Sequence, residues 1–214
     1  MFVKLCGLRT VEDAKVAVES EASALGFILA ESKRQVTPEF VASVREEIEH
    51  PPTIVGVTVN QTAADLRELY ASARLDMIQL SGDESIEILD ELEDVPLIKV
   101  LSFPAGADFN DATWEVDTWL NHRNAPEILM IDAHVDGAYG GTGVRADQKL
   151  VSEITVRFPV VLAGGLNPDN VAEAIRSLQP VGVDVASGTE TDGVKDPAKM
   201  KAFVENAREA FDRI

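Results

Sequence analysis

The stretch that decides the fold is residues 160–188, which read VVLAGGLNPDNVAEAIRSLQPVGVDVASG. It opens on an apolar run, Val160–Ala163, of the kind found in strands that are buried on both faces. A glycine pair follows, and Asn167-Pro168 then predicts a helix that starts at the proline, because proline is favoured at the first helical position. Apolar residues recur at helical spacing after it, at Val171, Ala174, Ile175 and Leu178. A second apolar run, Gly182–Ala186, completes a predicted parallel βαβ unit.

The same unit recurs along the whole chain. Continuous runs rich in Val, Ile and Leu return about every twenty to thirty residues, the length of one βα unit. The candidate strands are Phe2–Cys6, Ala24–Leu29, Thr53–Val59, Met77–Leu80, Leu97–Ser102, Ile128–Ala133, Val160–Ala163 and Gly182–Ala186. Strands that alternate with helices, without a strong linker, predict one α/β catalytic domain over residues 1–214, a (β/α)₈ TIM barrel. A doubly wound open sheet is the alternative.

Several helices have recognisable starts. Thr10–Asp13 is typical of a capping box, and Thr37-Pro38 and Asp196-Pro197 each place a proline at the first helical position. Residues 104–124 form the least regular part of the chain. We therefore expect the fifth helix of the barrel to be poorly formed.

The chain is strongly acidic. Its 214 residues carry a formal net charge of −18, from 37 acidic and 19 basic side chains. Nucleic acids and anionic membranes bind basic surfaces, so neither is an expected partner, whereas an anionic small molecule needs only a locally positive pocket. In molar salt the Debye length is only about 3 Å, so repulsion between the acidic side chains is screened. We interpret the charge as adaptation to a halophilic environment; an ordinary acidic protein is the alternative.

The chain has one cysteine, Cys6, which excludes an intrachain disulfide and suits a reducing compartment. The first residues show no charged region followed by a long apolar region, and no apolar run approaches the roughly 18 residues of a membrane span. These features predict a cytoplasmic protein.

Chemistry in such barrels sits at the carboxyl ends of the strands. Cys6 closes the first strand, where a barrel rim would make a thiol accessible. A thiolate can form there near neutral pH and act as a general base, although a lone cysteine is more often a small buried apolar residue.

Asp132 stands near the end of the sixth strand, after the apolar residues 128–131. Burial of a carboxyl group favours its protonated form, so this residue is a candidate general acid. A helix cap or loop anchor is the structural alternative.

Two strand ends carry small residues that suit phosphate binding. Gly164 and Gly165 follow strand seven, and Ser187 and Gly188 follow strand eight. Barrels frequently bind phosphate at these two loops through backbone N–H groups, which glycine leaves accessible. We call these four residues the phosphate loops.

Other residues near the strand ends could support the site. Arg34 carries a fork-shaped guanidinium suited to a carboxylate, with an ordinary surface ion pair as the alternative. Gln79 lies in strand four, and Gly141 belongs to a glycine-rich turn after strand six. The histidines show no spacing typical of a zinc site, so we expect no metal.

In chain order these residues resemble the phosphoribosylanthranilate isomerase family. The matching stretches are Val3–Leu8, Gly26–Ile28, Val55–Val57, Ile78–Leu80, Gly140–Gly143, Leu162–Val171, Gly182–Glu190 and Gly193–Asp196. They span essentially the whole chain, and the first and last two are specific, whereas the middle ones are generic barrel strands.

The resemblance implies a cofactor-free barrel enzyme of tryptophan biosynthesis that acts on a small phosphosugar. The sequence leaves open whether the protein is a monomer or a homodimer. Its reaction would be the Amadori rearrangement of N-(5-phosphoribosyl)anthranilate to 1-(2-carboxyphenylamino)-1-deoxyribulose 5-phosphate. Cys6 would be the general base, Asp132 the general acid, and Arg34 would hold the anthranilate carboxylate. The phosphate loops would bind the phosphate, and Asp184 would order them.

The chain departs from the family pattern at Ser81, where members often have His, and at Lys33, where they usually have Pro. Sister barrels are alternatives. A histidine-pathway isomerase typically pairs two aspartates at strands one and five, and indoleglycerol-phosphate synthase relies on lysines, for which Lys4 and Lys99 are candidates. A non-catalytic phosphosugar-binding barrel is a third alternative.

Overall fold

Eight parallel strands form a closed barrel in the computed structural model, which describes residues 1–104, 106–132 and 148–214. The strands are β1 Phe2–Cys6, β2 Ala24–Ile28, β3 Thr53–Thr58, β4 Met77–Leu80, β5 Leu97–Ser102, β6 Ile128–Asp132, β7 Val160–Ala163 and β8 Gly182–Val185. Each strand pairs with the next, and β8 pairs with β1 through Lys4 and Asp184. The TIM barrel prediction is confirmed and the open sheet alternative is wrong, because an open sheet has no such closing pair.

The helices lie outside the barrel and alternate with the strands. They are α1 Val11–Glu19, α2 Pro38–Glu47, α3 Ala63–Ser72, α4 Ile88–Glu91, α5 Phe109–Leu120, α6 Gln148–Arg157, α7 Val171–Leu178 and α8 Pro197–Phe211. A 3₁₀ turn, Ser187–Thr189, and a short hairpin of β9 Glu190–Thr191 with β10 Val194–Lys195 separate β8 from α8. The sequence patterns did not predict this hairpin.

The predicted helix caps at Thr10, Thr37 and Asp196 are confirmed, since each side chain accepts a hydrogen bond from a backbone N–H of the first turn. The helix predicted to start at Pro168 is wrong, because α7 begins only at Val171. Asn167 Oδ1 accepts from the N–H groups of residues 169 and 170, and Asn170 Oδ1 accepts from the N–H of Asn167. Such local side-chain bonds compete with helical ones and hold a turn.

The expectation of a poorly formed fifth helix is also wrong. Helix α5 has 12 residues, an Asp108 cap and buried side chains at Ala112, Val116 and Trp119, spaced along one face. The shortest helix described is α4, which has 4 residues and no side-chain cap. A capping residue and an apolar stripe therefore outweigh the irregular surroundings of α5.

Two apolar layers hold the fold together. The larger lies between the strands and the surrounding helices. The smaller fills the barrel interior and is centred on Val55, Ile98, Met130 and Val161. Because neighbouring strand residues face opposite sides, Lys4, Cys6, Asp132 and Asp184 share the inner face with this smaller layer.

Within the three described ranges, no helix combines the length and the apolar character that crossing a membrane demands.

Candidate active site

Cys6 lies at the carboxyl end of β1, directly beside Gly26 of β2. A Cβ at Gly26 would approach the Cys6 Sγ to 2.8 Å, so the glycine makes room for the thiol. Cys6 is only 5% exposed. The expectation of an accessible thiol at the rim is therefore wrong, because the neighbouring strands cover it.

Lys4 precedes Cys6 by two residues on β1, so both side chains face the barrel interior, and Lys4 is fully buried. Its Nζ donates to Asp184 Oδ1 at 2.7 Å across the seam that closes the barrel. Burial raises the pKa of the Cys6 thiol above its ordinary value, and the ammonium of Lys4 is the largest influence that lowers it. The expectation of a thiolate that forms near neutral pH is not met, because burial outweighs Lys4.

Asp184 has a different setting from the one the family resemblance implies. Its carboxylate faces the barrel interior and accepts the Lys4 ammonium. Among the described residues it forms no hydrogen bond to the phosphate loops. Any effect of Asp184 on those loops would pass through the β8 backbone.

Asp132 ends β6, where its neighbours in register are Ser102 of β5 and Ala163 of β7. It is partly buried. The side chain lies on the inner face at the mouth of the barrel, while Cys6 faces the same mouth from β1. Two strands, β7 and β8, separate these residues along the shorter way around the barrel.

The phosphate loops meet one another. A Cβ at Gly188 would overlap the Leu166 carbonyl oxygen, so the loop after β8 packs directly on the loop after β7. Gly164 and Gly165 have φ values of +90° and +64°, a region that favours glycine. A cleft of about 740 Å³ opens beside them, lined in part by Ser187 and Lys199.

The backbone N–H groups of the four phosphate-loop residues form no hydrogen bond within the described part of the chain. Backbone donors without a partner at the surface of a cleft can bind an oxyanion. The loops therefore provide the chemistry that a phosphate group needs.

Arg34 is bound to a carboxylate of the chain itself. Its Nε and Nη2 donate to the two carboxylate oxygens of Glu190 at 2.6 and 2.8 Å. The hydrogen bonds to Glu190 raise the pKa of Arg34 further. Nη1 has no hydrogen-bond partner among the described residues, so Arg34 could still donate to a ligand from a fixed position.

Lys195 and Glu190 were missed by the sequence patterns. Lys195 is buried, donates to the Ala186 carbonyl oxygen at 2.6 Å, and lies 3.6 Å from Glu190. Burial lowers the pKa of Lys195. We call Lys4, Arg34, Asp184, Glu190 and Lys195 the buried charge cluster. Only the tertiary contacts reveal it, because Lys4 and Arg34 are far in sequence from their partners, at separations of 180 and 156 residues.

Ser81 makes a contact of its own in place of the family's usual histidine. Gln79 faces the barrel interior and donates from Nε2 to Ser81 Oγ at 3.1 Å. Gln79 Oε1 is buried and accepts no hydrogen bond from the described residues. Ser81 thus holds the Gln79 amide at the barrel mouth.

Lys99 faces away from the mouth. It is on the outer face of β5, donates to Glu84 Oε2 at 2.6 Å and lies over the Trp119 ring. A lysine in this position cannot reach a substrate inside the barrel. This placement argues against the synthase alternative, which needs catalytic lysines at the strand ends.

Gly141 of the predicted glycine-rich turn lies outside the described residues. In the part of the chain that is described, no group of three or more His, Cys, Asp or Glu side chains is arranged to hold a metal ion.

Comparison with known proteins finds similarity to one enzyme family over nearly the whole chain. Residues 3–206 match the family described as N-(5'-phosphoribosyl)anthranilate isomerase. A relative with that name from Roseiflexus castenholzii is 41% identical and aligns over 98% of this chain and 99% of its own.

Two solved structures are similar along nearly their whole length. One is phosphoribosyl anthranilate isomerase in complex with reduced 1-(o-carboxyphenylamino)-1-deoxyribulose 5-phosphate, with 32% identity, a TM-score of 0.80 and coverage of 98% of this chain and 99% of the other. The second is a monomeric form of the dimeric Thermotoga maritima enzyme, with 31% identity, a TM-score of 0.78 and coverage of 97% and 98%.

Proposed function

The chain belongs to the N-(5'-phosphoribosyl)anthranilate isomerase family, and from that premise we propose that Asp132 and Cys6 are the general acid and the general base of its aldose–ketose isomerisation. The proposal rests mainly on one observation. Both side chains lie on the inner face of the barrel at its mouth, beside loops whose backbone N–H groups have no hydrogen-bond partner among the described residues.

The reaction divides into two proton-transfer stages. Asp132 gives its proton to the ribose ring oxygen, the C1–O bond breaks, and the nitrogen lone pair forms an iminium ion with C1. The iminium acidifies the hydrogen at C2, which the Cys6 thiolate removes. The electron pair left behind forms an enolamine, which takes a proton at C1 and loses the hydroxyl proton at C2 to give the ketone.

The balance of this reaction needs no external oxidant or reductant. C2 is oxidised from an alcohol to a ketone while C1 is reduced, so both changes take place within one substrate. The residues then only have to move protons and hold the substrate in place. A cofactor-free mechanism is consistent with this balance.

Loss of substrate fluorescence tests the proposed activity. We expect the purified chain in concentrated salt to convert N-(5'-phosphoribosyl)anthranilate and abolish its fluorescence. The matched control is a Cys6→Ala/Asp132→Asn double variant with the same unfolding temperature. A folded wild-type chain that leaves the fluorescence unchanged would contradict the proposal.

Arg34 is proposed to bind the anthranilate carboxylate through the guanidinium edge that Glu190 leaves open. Replacing it with Met is expected to raise KM by about 10- to 100-fold, because a hydrogen bond to a charged group contributes ~1.5–3 kcal/mol. The value of kcat should change much less. Steady-state kinetics measures both constants.

Lys33→Ala is the matched control for Arg34, since Lys33 is exposed on the same loop. Inhibition by inorganic phosphate should be the same in the Arg34→Met variant and the wild type. A normal KM in that variant would rule out the assignment.

We also propose that the acid excess is an adaptation to concentrated salt. Raising NaCl from 0.1 to 2 M shortens the Debye length from about 10 Å to less than 3 Å, which weakens repulsion within a chain of net charge −18. The unfolding temperature should rise by about 4 °C or more, roughly 1 kcal/mol for a domain of this size. Equal stability in dilute buffer and in salt would show that the charge has another origin.

The remaining proposals concern the state of the whole protein. We propose that residues 1–214 form one catalytic domain, monomeric or homodimeric, that binds neither nucleic acid nor membranes. We place it in the cytoplasm, where the thiol systems of the cell keep a lone cysteine reduced.

A further inference from the structure

The buried charge cluster near Cys6 contains more positive than negative charges. It contains the cations of Lys4, Arg34 and Lys195 and the carboxylates of Asp184 and Glu190, all with side chains at most 15% exposed. One positive charge is therefore in excess. A thiolate at Cys6 would be attracted to this excess charge, which offsets part of the cost of burying the thiolate in a low-dielectric interior.

Lys4 is the one member of the buried charge cluster that lies on β1, two residues before Cys6. Both side chains occupy the space that Gly26 leaves, since a Cβ there would lie 2.8 Å from Cys6 Sγ and 3.0 Å from Lys4 Cε. Because Lys4 has no exposed surface, water does not screen its charge from the sulfur.

We propose that Lys4 is a positioning residue that stabilises the thiolate form of Cys6 against the cost of its burial, and that Asp184 fixes the Lys4 ammonium beneath the sulfur. The catalytic meaning of this arrangement rests on the proposed role of Cys6 as general base. The electrostatic relation between Lys4 and the sulfur does not depend on that role.

The charged groups around the thiol act in opposite directions. Burial raises the pKa of Cys6, Lys4 lowers it, Asp184 raises it to a smaller extent, and Lys195 lowers it. Arg34 also interacts with the sulfur electrostatically, and Asp132 faces the same mouth from β6. Among the groups that lower the pKa of Cys6, Lys4 has the largest influence, so its removal should change the titration of the thiol most.

Lys99 provides a matched control. It is also a buried lysine, 2% exposed, with a carboxylate partner at 2.6 Å. It differs from Lys4 in facing the helices rather than the barrel interior. Lys4→Met and Lys99→Met both remove a buried ion pair and should both lower stability, but only Lys4→Met should alter the titration of Cys6.

The titration can be followed in the folded protein with cysteine labelled with ¹³C at Cβ, because the chain has a single cysteine. We expect Lys4→Met to raise the apparent pKa of Cys6 by about one unit or more, the effect typical of losing a close opposite charge. The limb of the kcat/KM profile that reports the thiol should move upward by the same amount. Lys99→Met should leave both measurements at their wild-type values.

Lys4→Met leaves Asp184 buried without its partner and could fail to fold. The Lys4→Met/Asp184→Asn variant then replaces it, because it removes both charges while keeping the side-chain volumes similar. Its Cys6 titration should still move upward, since the influence of Lys4 on the thiol exceeds that of Asp184. A Cys6 titration unchanged in both variants would overturn the proposal and leave Lys4 as part of a purely structural ion pair.

The experiments distinguish a wrong role for Lys4 from a wrong assignment of Cys6 as the general base. If Cys6→Ala keeps its turnover, Cys6 is not the base, yet the upward shift of the Cys6 titration in Lys4→Met would still hold. If Cys6→Ala is inactive and Lys4→Met titrates like the wild type, the base is correct and the role of Lys4 is wrong.

Discussion

Replacing Cys6 with Ala is expected to lower kcat by at least about 10²-fold, the size of effect that general acid–base residues usually have. Alanine retains no group that can accept the proton from C2. KM should change little, because the phosphate and carboxylate groups of the substrate are proposed to bind elsewhere. Steady-state kinetics under saturating substrate measures the effect.

The same assignment predicts a pH dependence. A general base must be deprotonated to act, and burial raises the pKa of the Cys6 thiol. Because Asp132 must be protonated and Cys6 deprotonated at the same time, kcat/KM should follow a bell-shaped pH profile whose alkaline limb lies above the ordinary pKa of a thiol, about 8.5. An alkaline limb below pH 8 would contradict this assignment.

Cys6→Ser separates the loss of the base from a change in packing. Serine nearly keeps the size of the side chain, but its hydroxyl is a far weaker base in this range. We expect it to be as inactive as Cys6→Ala while retaining the wild-type unfolding temperature. Near-wild-type turnover by either variant would show that another group removes the proton.

Replacing Asp132 with Asn is expected to lower kcat by a similar factor, at least about 10²-fold. The amide keeps the shape of the side chain and its place beside Ser102 and Ala163. It has no acidic proton to give to the ring oxygen, so the C1–O bond has to break without assistance. The kinetic measurement is the same as for Cys6.

An isotope effect distinguishes the two roles. With substrate deuterated at C2, the Cys6→Ala variant should show a larger kinetic isotope effect than the wild type, because removal of that hydrogen becomes slow. In Asp132→Asn ring opening is slow, so its isotope effect should be close to unity. If the two variants respond in the opposite way, the acid and base assignments are reversed.

A distant carboxylate serves as the control for Asp132. Asp212→Asn removes one negative charge at the exposed carboxyl end of α8 and should leave kcat unchanged. This control separates the loss of one specific carboxyl group from a general change in the charge of the protein.

Local patterns were sufficient to predict the strands. Strands β1, β4, β5 and β7 have the predicted bounds, and the predicted β2, β3 and β8 extend one residue too far. Buried parallel strands need continuous apolar runs, and a helix cap requires its polar residue at a fixed place. Both signals lie within a few neighbouring residues, and they placed Cys6 and Asp132 at the ends of strands.

Local patterns misled where several local structures competed. Asn167-Pro168 resembles a helix start, but the reciprocal bonds between Asn167 and Asn170 stabilise a turn instead. The irregular region before α5 hid the Asp108 cap and the buried stripe behind it. In each case the outcome depends on which set of hydrogen bonds and packing contacts is more stable, and sequence spacing alone does not give that balance.

The sequence by itself determined the barrel, the strand ends that carry the candidate acid and base, and the glycines of the phosphate loops. Only the tertiary structure decided the partners of the charged residues. Lys4 meets Asp184 across 180 positions of sequence, and Arg34 meets Glu190 across 156. The physical reason is that barrel closure and strand register, rather than neighbouring residues, bring these side chains together, and burial then makes their charges act strongly on Cys6.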